Sequence, residues 1–285
     1  MTTLTEYEQV ADYAEYKVLD KGWVKLDNFM GSDSDTAACA RESYKKGTKQ
    51  INNDIGLLDH LIRNMHTSPL EMPIVRYRQK IPLFVLAQQV RHRTHAMNQL
   101  SLRYSESELE FYEPEEWRLQ DALNKQGSHG FLEDPDDLAF MIQHQHEIDE
   151  HTGEVYRHML EKGISREMAR IILPQALYTE LVWQQNLHNH LHLLKLRMDG
   201  HAQWEIQQYA LTMHGIVKQL FPIITHCWDN HVFNGVRVSA DEKSVIRELI
   251  ALHQDLLGDL PDRLRESGLS KTRLHEFENK FGIKF

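Results

Sequence analysis

The residue types best suited to ligand chemistry are concentrated in one short segment, which contains Arg91, His92, Arg93, Asn98 and Ser101. Guanidinium groups bind phosphates through two parallel hydrogen bonds, and amide and hydroxyl side chains supply donors and acceptors for a sugar or a base edge. Successive residues of a helix turn by about 100°, so the side chains of residues 91–93 must point in three directions. Such an arrangement is typical of a helix end at which several ligand groups meet.

The same segment lies within a stretch that has no acidic residue. Residues 72–105 contain not one Asp or Glu, whereas the 42 acids of the 285-residue chain would place about five in a stretch of this length. The stretch carries six permanent cations instead: Arg76, Arg78, Lys80, Arg91, Arg93 and Arg103. We interpret it as a pocket for phosphate groups, because a carboxylate there would repel the ligand. A solvated basic face, or an interface to an acidic patch on another subunit, is the alternative.

The composition as a whole restricts the classes of function. The formal net charge of −10 argues against general binding to nucleic acid or to an anionic membrane surface. No apolar run approaches the roughly 20 residues that span a bilayer, and the N-terminal residues lack the apolar core of a signal peptide. Cys39 and Cys227 form neither a disulfide framework nor a CxxC pair, so we expect a reducing, cytoplasmic compartment.

The elements that must position these residues are mostly helical. Residues 74–81 alternate apolar and cationic side chains and predict a half-buried strand. Pro82 is suited to the start of the helix that follows it. The other segments are predicted as helices, and they comprise 35–46 with Asp35 as N-cap, 55–65, 136–162, a short one from Ser165, 175–198, 201–220 and two within 240–285. We therefore predict an α+β fold, mostly helical with a small antiparallel sheet, and we assign Trp183, Trp204 and Tyr209 to the core.

Beyond single residues, five segments resemble the flavin-dependent thymidylate synthases in the order in which that family has them. The most specific is Arg91-His92-Arg93 followed after seven residues by Ser101, with Arg103 and Tyr104 beside it. The other four are Ala40-Arg41-Glu42-Ser43, His66-Thr67-Ser68-Pro69-Leu70-Glu71, residues 169–186 and residues 197–207. Together they extend over roughly residues 30–230. The chain thus resembles this family over most of its length.

The resemblance implies a reaction and an assembly. It implies an enzyme that uses FAD to transfer a one-carbon unit from methylenetetrahydrofolate to C5 of dUMP, with NADPH as the reductant. It also implies a homotetramer whose active sites are shared between subunits. We expect a catalytic domain over residues 1–235 and a helical C-terminal extension over residues 236–285, the latter outside the resemblance.

The resemblance also assigns site residues. Arg197 is the catalytic residue that it implies, because this family activates the pyrimidine by polarisation instead of by addition of a cysteine. The nucleotide would be held by Gln88, Arg91, Ser101, Arg103, Arg170 and Arg197. FAD would contact Ser43, Ser68, Arg91, His92, Arg93, Asn186 and His192, while His66 and His201 would line the region where flavin meets folate or nicotinamide.

Four positions depart from the usual pattern of the family. Gln99 stands where Glu is common and would lie beside both nucleotide and flavin; Leu102 stands where some members have Gly and would flank the nucleotide. Met72 replaces a frequent His, and His188 replaces an Arg that often reaches the flavin. Because a few close contacts decide whether a ribose 2′-hydroxyl is accepted, UMP remains an alternative substrate to dUMP.

Two further hypotheses come from the same residues. His188 and His192 are one helical turn apart, a spacing that can chelate zinc, but no HExxH motif or nearby carboxylate completes a site, so we predict no metal. A non-catalytic nucleotide- or RNA-binding protein is the other alternative. The net charge and the lack of an RNP, KH or OB-type motif argue against RNA.

Overall fold

A five-stranded antiparallel sheet forms the centre of the larger part of the molecule. The computed structural model describes residues 9–43, 53–101, 108–122, 125, 127–252 and 271–281, and the chain divides into two compact units, residues 1–234 and 235–285. The strand order of the sheet is β1-β2-β3-β7-β4. These strands are β1 (Glu15–Val18), β2 (Gly22–Met30), β3 (Ile74–Pro82), β4 (Ala96–Gln99) and β7 (Tyr178–Asn186), and β5 (Arg118–Gln120) pairs separately with β6 (Ser128–Phe131).

Strand β3 lies in the middle of this sheet, as its alternating sequence predicts. Val75, Tyr77 and Ile81 are completely buried on one face, whereas Arg78 is exposed on the other. Successive side chains of a strand point to opposite faces, so one face of β3 joins the core and the other presents its cations. The predicted strand and its antiparallel sheet are confirmed.

Helices cover the apolar face of the sheet and extend beyond it. One contiguous core unites β2, β3 and β7 with the buried sides of the helices, including Leu187, Leu191 and Leu194. The helices of the larger unit are α1 (Asp33–Arg41), α2 (Asp54–Arg63), α3 (Leu83–Gln89), α4 (Pro135–Glu161), α5 (Arg166–Ala169), α6 (Leu187–Arg197), α7 (Trp204–Leu220) and α8 (Pro222–Trp228). The predicted α+β class, mostly helical with a small antiparallel sheet, is confirmed.

The predicted helix over residues 175–198 is wrong in its first half. Residues Tyr178–Asn186 form strand β7, in which Leu181, Trp183 and Gln185 are buried. The leucine stripe that suggested a helix begins only at Leu187. Asn186 ends the strand and caps α6, since its side-chain oxygen accepts a hydrogen bond from the backbone N–H of Asn189 at 2.9 Å.

Smaller differences concern the ends of elements. The N-cap of α1 is Ser32 and not Asp35, α3 ends at Gln89, before the arginine-rich run, and Pro222 begins α8. Strands β1 and β2 were not predicted. Trp183 and Tyr209 are fully buried as expected, but Trp204 is 43% exposed, so its assignment to the core is wrong.

In the smaller unit the described residues form two helices, α9 (Ala240–Leu252) and α10 (Lys271–Phe281). The side chain of Arg247 donates to the carbonyl of Asn279 at 3.2 Å and joins them. Two helices were predicted here, and the turn expected around Gly258 and Pro261 falls outside the described residues. No helix among the described residues has the length and apolar content needed to cross a membrane.

Candidate active site

The last residue of α6 joins three parts of the chain. Arg197 donates from Nε to Nε2 of His92 at 3.0 Å and from one terminal nitrogen to the carbonyl oxygen of Gln88 at 3.1 Å. Gln88 lies on α3, and His92 lies in the turn that follows that helix. Two protein acceptors thus fix the guanidinium plane, while its remaining N–H groups have no partner among the described residues.

The charges around Arg197 are of one sign. Burial lowers the pKa of Arg197, and the positive charge of Arg91 lowers it further. Burial also lowers the pKa of His92 to about 4, with Arg197, His192 and His95 acting in the same direction. His92 is therefore neutral near pH 7, and its Nε2 can accept the hydrogen bond that Arg197 Nε donates.

Within the described ranges, no acidic side chain pairs with the arginines of this cluster. In the part of the chain that the structure describes, Arg91, Arg93 and Arg197 form no ion pair with Asp or Glu. His92 and His192 add a ring contact, with centroids 5.9 Å apart. Like charges held together without a counter-charge make a site for an anion, since an anionic ligand removes the repulsion.

The cations of strand β3 differ, and here the interpretation of the acid-free stretch needs a correction. Arg76 and Arg78 both pair with Asp27 of β2, and Lys80 pairs with Glu110. Acids distant in sequence thus pair with all three side chains, although Arg76 and Arg78 share the single charge of Asp27. The candidate anion site therefore contains only Arg91 and Arg93, which follow α3, and Arg197, the last residue of α6.

Residues that sequence reasoning did not assign support the turn after residues 91–93. Gln185 donates from Nε2 to the carbonyl of Thr94 at 3.2 Å. The ring of His95 stacks on Trp183, with centroids 3.9 Å apart and 15° between the planes, and its Nδ1 lies 2.6 Å from the carbonyl of His92. Strand β4 then continues along β7, with Ala96 opposite Gln184. Trp183 and Gln185 are two residues apart, so a strand prediction for residues 178–186 would have placed both side chains on one face. That placement was the available signal for their contacts with the turn.

A second group of predicted nucleotide ligands lines a cavity of about 200 Å³. Gln99 donates from Nε2 to Oγ1 of Thr179 at 3.1 Å, and Arg170 is exposed without an acidic partner among the described residues. Ser101 lies two residues after Gln99 and is half-buried. Leu102 and Arg103, which were predicted to belong to this pocket, lie outside the described residues.

Several residues predicted to contact FAD lie on or near α6. Asn186 caps this helix, and His188 and His192 lie on it. Ser68 begins the 3₁₀ turn Ser68–Glu71, which packs against α6. Asn186 and His188 are half-buried, whereas Ser68 and His192 are exposed.

Two exposed residues that the resemblance assigns to the flavin region, His66 and Ser43, lie apart from the cluster around Arg197. His66 is exposed and contacts His60 edge-on, with ring centroids 5.7 Å apart, and Ser43 is exposed just beyond α1. Among the described residues neither forms a hydrogen bond or ion pair with Arg197 or with its partners. The structure therefore does not bring Ser43 and His66 into direct contact with the cluster.

His201 lies on the wall of a different and larger cavity, of about 760 Å³. Its Nδ1 is 2.8 Å from an oxygen of Asp199. Buried Glu205 accepts hydrogen bonds from Arg118 and from the hydroxyl of Tyr112 in the same cavity. The walls also include Phe84, Trp117, Gln145, Gln203 and Trp204. Gln203 contacts the side chain of Gln88, whose carbonyl accepts from Arg197, so the cavity adjoins the cluster.

The histidines of α6 do not assemble a metal site. His190 is fully buried and contacts the hydroxyl of Tyr77 at 3.2 Å through Nε2. Among the described residues no group of three His, Cys, Asp or Glu side chains is placed to hold a metal ion.

Comparison with known proteins assigns this fold and site to a class. The sequence profile of the family described as "Thymidylate synthase complementing protein" matches residues 25–223. That match spans more than half of the chain and includes every residue of the cluster around Arg197. The chain belongs to this family.

Individual relatives are similar over nearly the full length. A flavin-dependent thymidylate synthase of Thermus thermophilus is 42% identical over 268 residues, which cover 93% of this chain and 95% of the relative. A protein of the same name from Treponema denticola is 41% identical, with 93% and 96% covered. Among solved structures, the UMP/dUMP methylase PolB of Streptomyces cacaoi bound with 5-Br UMP superposes with a TM-score of 0.67 at 27% identity, covering 76% of this chain and 97% of that one. Its complex with 5-Br dUMP gives the same TM-score at 26% identity.

Proposed function

We propose that this protein methylates C5 of dUMP to give dTMP, with FAD as its cofactor, methylenetetrahydrofolate as the carbon donor and NADPH as the reductant. The observation that carries the proposal is the cluster of Arg91, Arg197 and neutral His92, which has no acidic partner among the described residues. Membership in the family and relatives named flavin-dependent thymidylate synthases support the same reaction.

The residues around the cluster fit a flavin nucleotide. Arg91 and Arg93 are exposed cations without an acid beside them in the described ranges, which suits a diphosphate. Asn186, His188 and His192 add amide and imidazole groups on the adjoining helix. When bound, FAD supplies the hydride-transfer chemistry that the amino acids lack.

Arg197 would act on the pyrimidine. Its two hydrogen bonds to protein would leave N–H groups free to stabilise negative charge on the N3, O4 or O2 edge of the uracil ring. This polarisation would place on C5 the electron density with which it attacks the carbon unit. Neutral His92 keeps Arg197 Nε occupied and oriented without adding a second repelling charge. Cys39 is exposed on α1 and Cys227 is buried in α8, and neither takes part in the hydrogen bonds of the cluster. Activation by polarisation, and not by a thiolate, is therefore the role that this chain supports.

The nucleotide would extend from Arg197 toward the cavity of Gln99 and Arg170. Gln88, Arg91 and Ser101 complete the group assigned to it, and Arg170 provides a cation for the phosphate. Gln99 is neutral and is held by Thr179, so this wall presents an amide where the family commonly has a carboxylate. An amide can both donate to and accept from a sugar hydroxyl, which keeps UMP as the second candidate substrate. The solved methylase with this fold is named for both nucleotides.

We further propose that the catalytic domain comprises residues 1–235 and that residues 236–285 are an extension. The active enzyme would be a homotetramer in the cytoplasm, with sites that combine residues of different subunits. In such a shared site, His66, Ser43 and His201, which form no contact with the cluster among the described residues, would serve the site of another subunit. The two free cysteines are compatible with a reducing compartment.

Release of tritium from 5-³H-dUMP and, in parallel, from 5-³H-UMP tests the reaction, with FAD, NADPH and methylenetetrahydrofolate present. Purified protein should be yellow, and NADPH should bleach its flavin absorbance. Methylation mainly of UMP would move the substrate to the ribonucleotide. A colourless protein that takes up no FAD and releases tritium from neither nucleotide would refute the proposed function.

A further inference from the structure

Beneath the arginine-rich turn lies a chain of buried polar side chains that the reaction does not use. Gln185 is only 3% exposed, and His190, Trp183 and Tyr77 are completely buried. Trp183 donates from Nε1 to Oε1 of Gln185 at 3.1 Å. Nδ1 of His190 lies 3.4 Å from the same oxygen, and Nε2 of His190 lies 3.2 Å from the Tyr77 hydroxyl. Buried polar groups cost free energy unless they are hydrogen-bonded, so these contacts restrict the orientation of each side chain in the series.

The chemistry of these buried side chains determines which partner donates in each of their hydrogen bonds. The indole N–H of Trp183 can only donate, so the Gln185 atom facing it must be the carbonyl oxygen. Oxygen at that position makes His190 Nδ1 the protonated nitrogen and leaves Nε2 to accept from Tyr77. A flipped amide would set its NH₂ group against the indole N–H of Trp183 and its oxygen against the carbonyl of Thr94. Gln185 Nε2 is therefore held toward the opposite side, where it donates to the carbonyl of Thr94 at 3.2 Å.

Thr94 directly follows residues 91–93, so this bond acts on the turn that carries the cluster. His95 reinforces it by stacking on Trp183, which is the same indole that orients Gln185. His95 also closes the turn through its contact with the carbonyl of His92, whose ring accepts from Arg197. The position of the turn is thus tied to the core at two adjacent residues.

We propose that Gln185 is the positioning residue of this turn, and that its donor to Thr94 places Arg91, His92 and Arg93 for the flavin and the nucleotide. Gln185 touches neither ligand in this assignment; it acts through the backbone of Thr94. The ligand part of the inference rests on the proposed function, whereas the effect on the turn does not.

Two substitutions separate positioning from general stability. Gln185→Glu keeps the shape and both acceptor contacts but replaces the donor to Thr94 with a repelling oxygen. Gln185→Met removes the donor without burying a charge, so it serves if the carboxylate prevents folding. Val24→Ala is the matched control, because Val24 is fully buried on strand β2, which β3 and β7 separate from β4 in the sheet. It should lower the melting temperature without altering the site.

Hydrogen exchange of residues 91–99 reports the turn itself, and titrations with FAD and with dUMP report its effect on the ligands. Both Gln185 variants should exchange faster than wild type in this segment, and their dissociation constants should rise roughly tenfold, the usual order for a lost buried hydrogen bond. Val24→Ala should match wild type in both measurements. Gln185 variants that exchange and bind as Val24→Ala does would overturn the inference. A wild-type protein that binds neither ligand would instead refute the proposed function, and the exchange comparison would still decide the role of Gln185.

Discussion

Replacement of Arg197 by lysine tests the polarising role directly. The guanidinium donates to His92 and to the carbonyl of Gln88 at the same time, and its remaining N–H groups are left for the pyrimidine. A lysine ammonium is a single point and cannot bridge both acceptors while it also reaches a ligand. Loss of one positioned donor to a developing negative charge costs about 10²- to 10³-fold in kcat. Because lysine keeps the positive charge, we expect the lower end of that range for Arg197→Lys and the upper end for neutral Arg197→Gln.

Single-turnover formation of dTMP with the flavin already reduced measures this effect apart from the reduction step. The dissociation constant of FAD should change little, because Arg197 is assigned to the nucleotide. Lys195→Gln is the matched control: it removes one cation from the last turn of the same helix, outside the cluster. Arg197→Lys with the wild-type kcat, or an equal loss in Lys195→Gln, would show that the guanidinium does not polarise the substrate.

Three further substitutions address charge in other parts of the molecule. Arg170→Ala should raise the KM for the uridylate by about tenfold, as expected for a lost charged hydrogen bond, and leave FAD binding intact; equal weakening of both ligands would argue against a phosphate contact. Glu205→Gln should lower the free energy of unfolding by roughly 3 kcal/mol, because Arg118 would lose its buried partner, and an unchanged melting temperature would contradict this. Burial lowers the pKa of His190 to about 3 in the folded protein. As the pH falls from about 6.5 toward 3, the imidazole of His190 is therefore protonated only in the unfolded chain. The free energy of unfolding of the wild type should decrease over this pH range. His190→Gln should make the drop shallower by up to about 1.4 kcal/mol per pH unit between pH 6 and 4, which urea unfolding across that range would detect or exclude.

The sequence alone predicted the class of fold and the segment that carries arginines without an acidic partner among the described residues, because both depend on local patterns. Alternation along residues 74–81 identified the central strand, and the absence of acids over residues 72–105 marked the segment that contains Arg91 and Arg93. The absence of acids did not separate Arg91 and Arg93 from the arginines that pair with an acid distant in sequence. Asp27, which pairs with Arg76 and Arg78, lies about fifty residues away, and only the register of β2 against β3 brings it there.

Strand β7 escaped prediction for a related reason. The helical spacing of Leu187, Leu191 and Leu194 suggests that the helix also includes the residues before Leu187. Those residues instead alternate between buried and more exposed side chains, as in a strand. Leu181, Trp183 and Gln185 point inward from the strand, but a buried glutamine looks polar in a hydrophobicity pattern. Its role is defined by partners at residues 94 and 190, which no local window contains.

The uncompensated charge of Arg91 and Arg197 also couples folding to metabolite supply. The folded chain holds these like charges close together, whereas the unfolded chain separates them, so the ligand-free protein keeps an internal repulsion that an anionic ligand bound at the cluster would relieve. A ligand that binds only the native state adds RT ln(1 + [L]/Kd) to its stability, about 2.7 kcal/mol at a hundredfold excess over Kd. Cells rich in uridylate and flavin would therefore contain a longer-lived protein, and cells starved of either would present more of it to proteases.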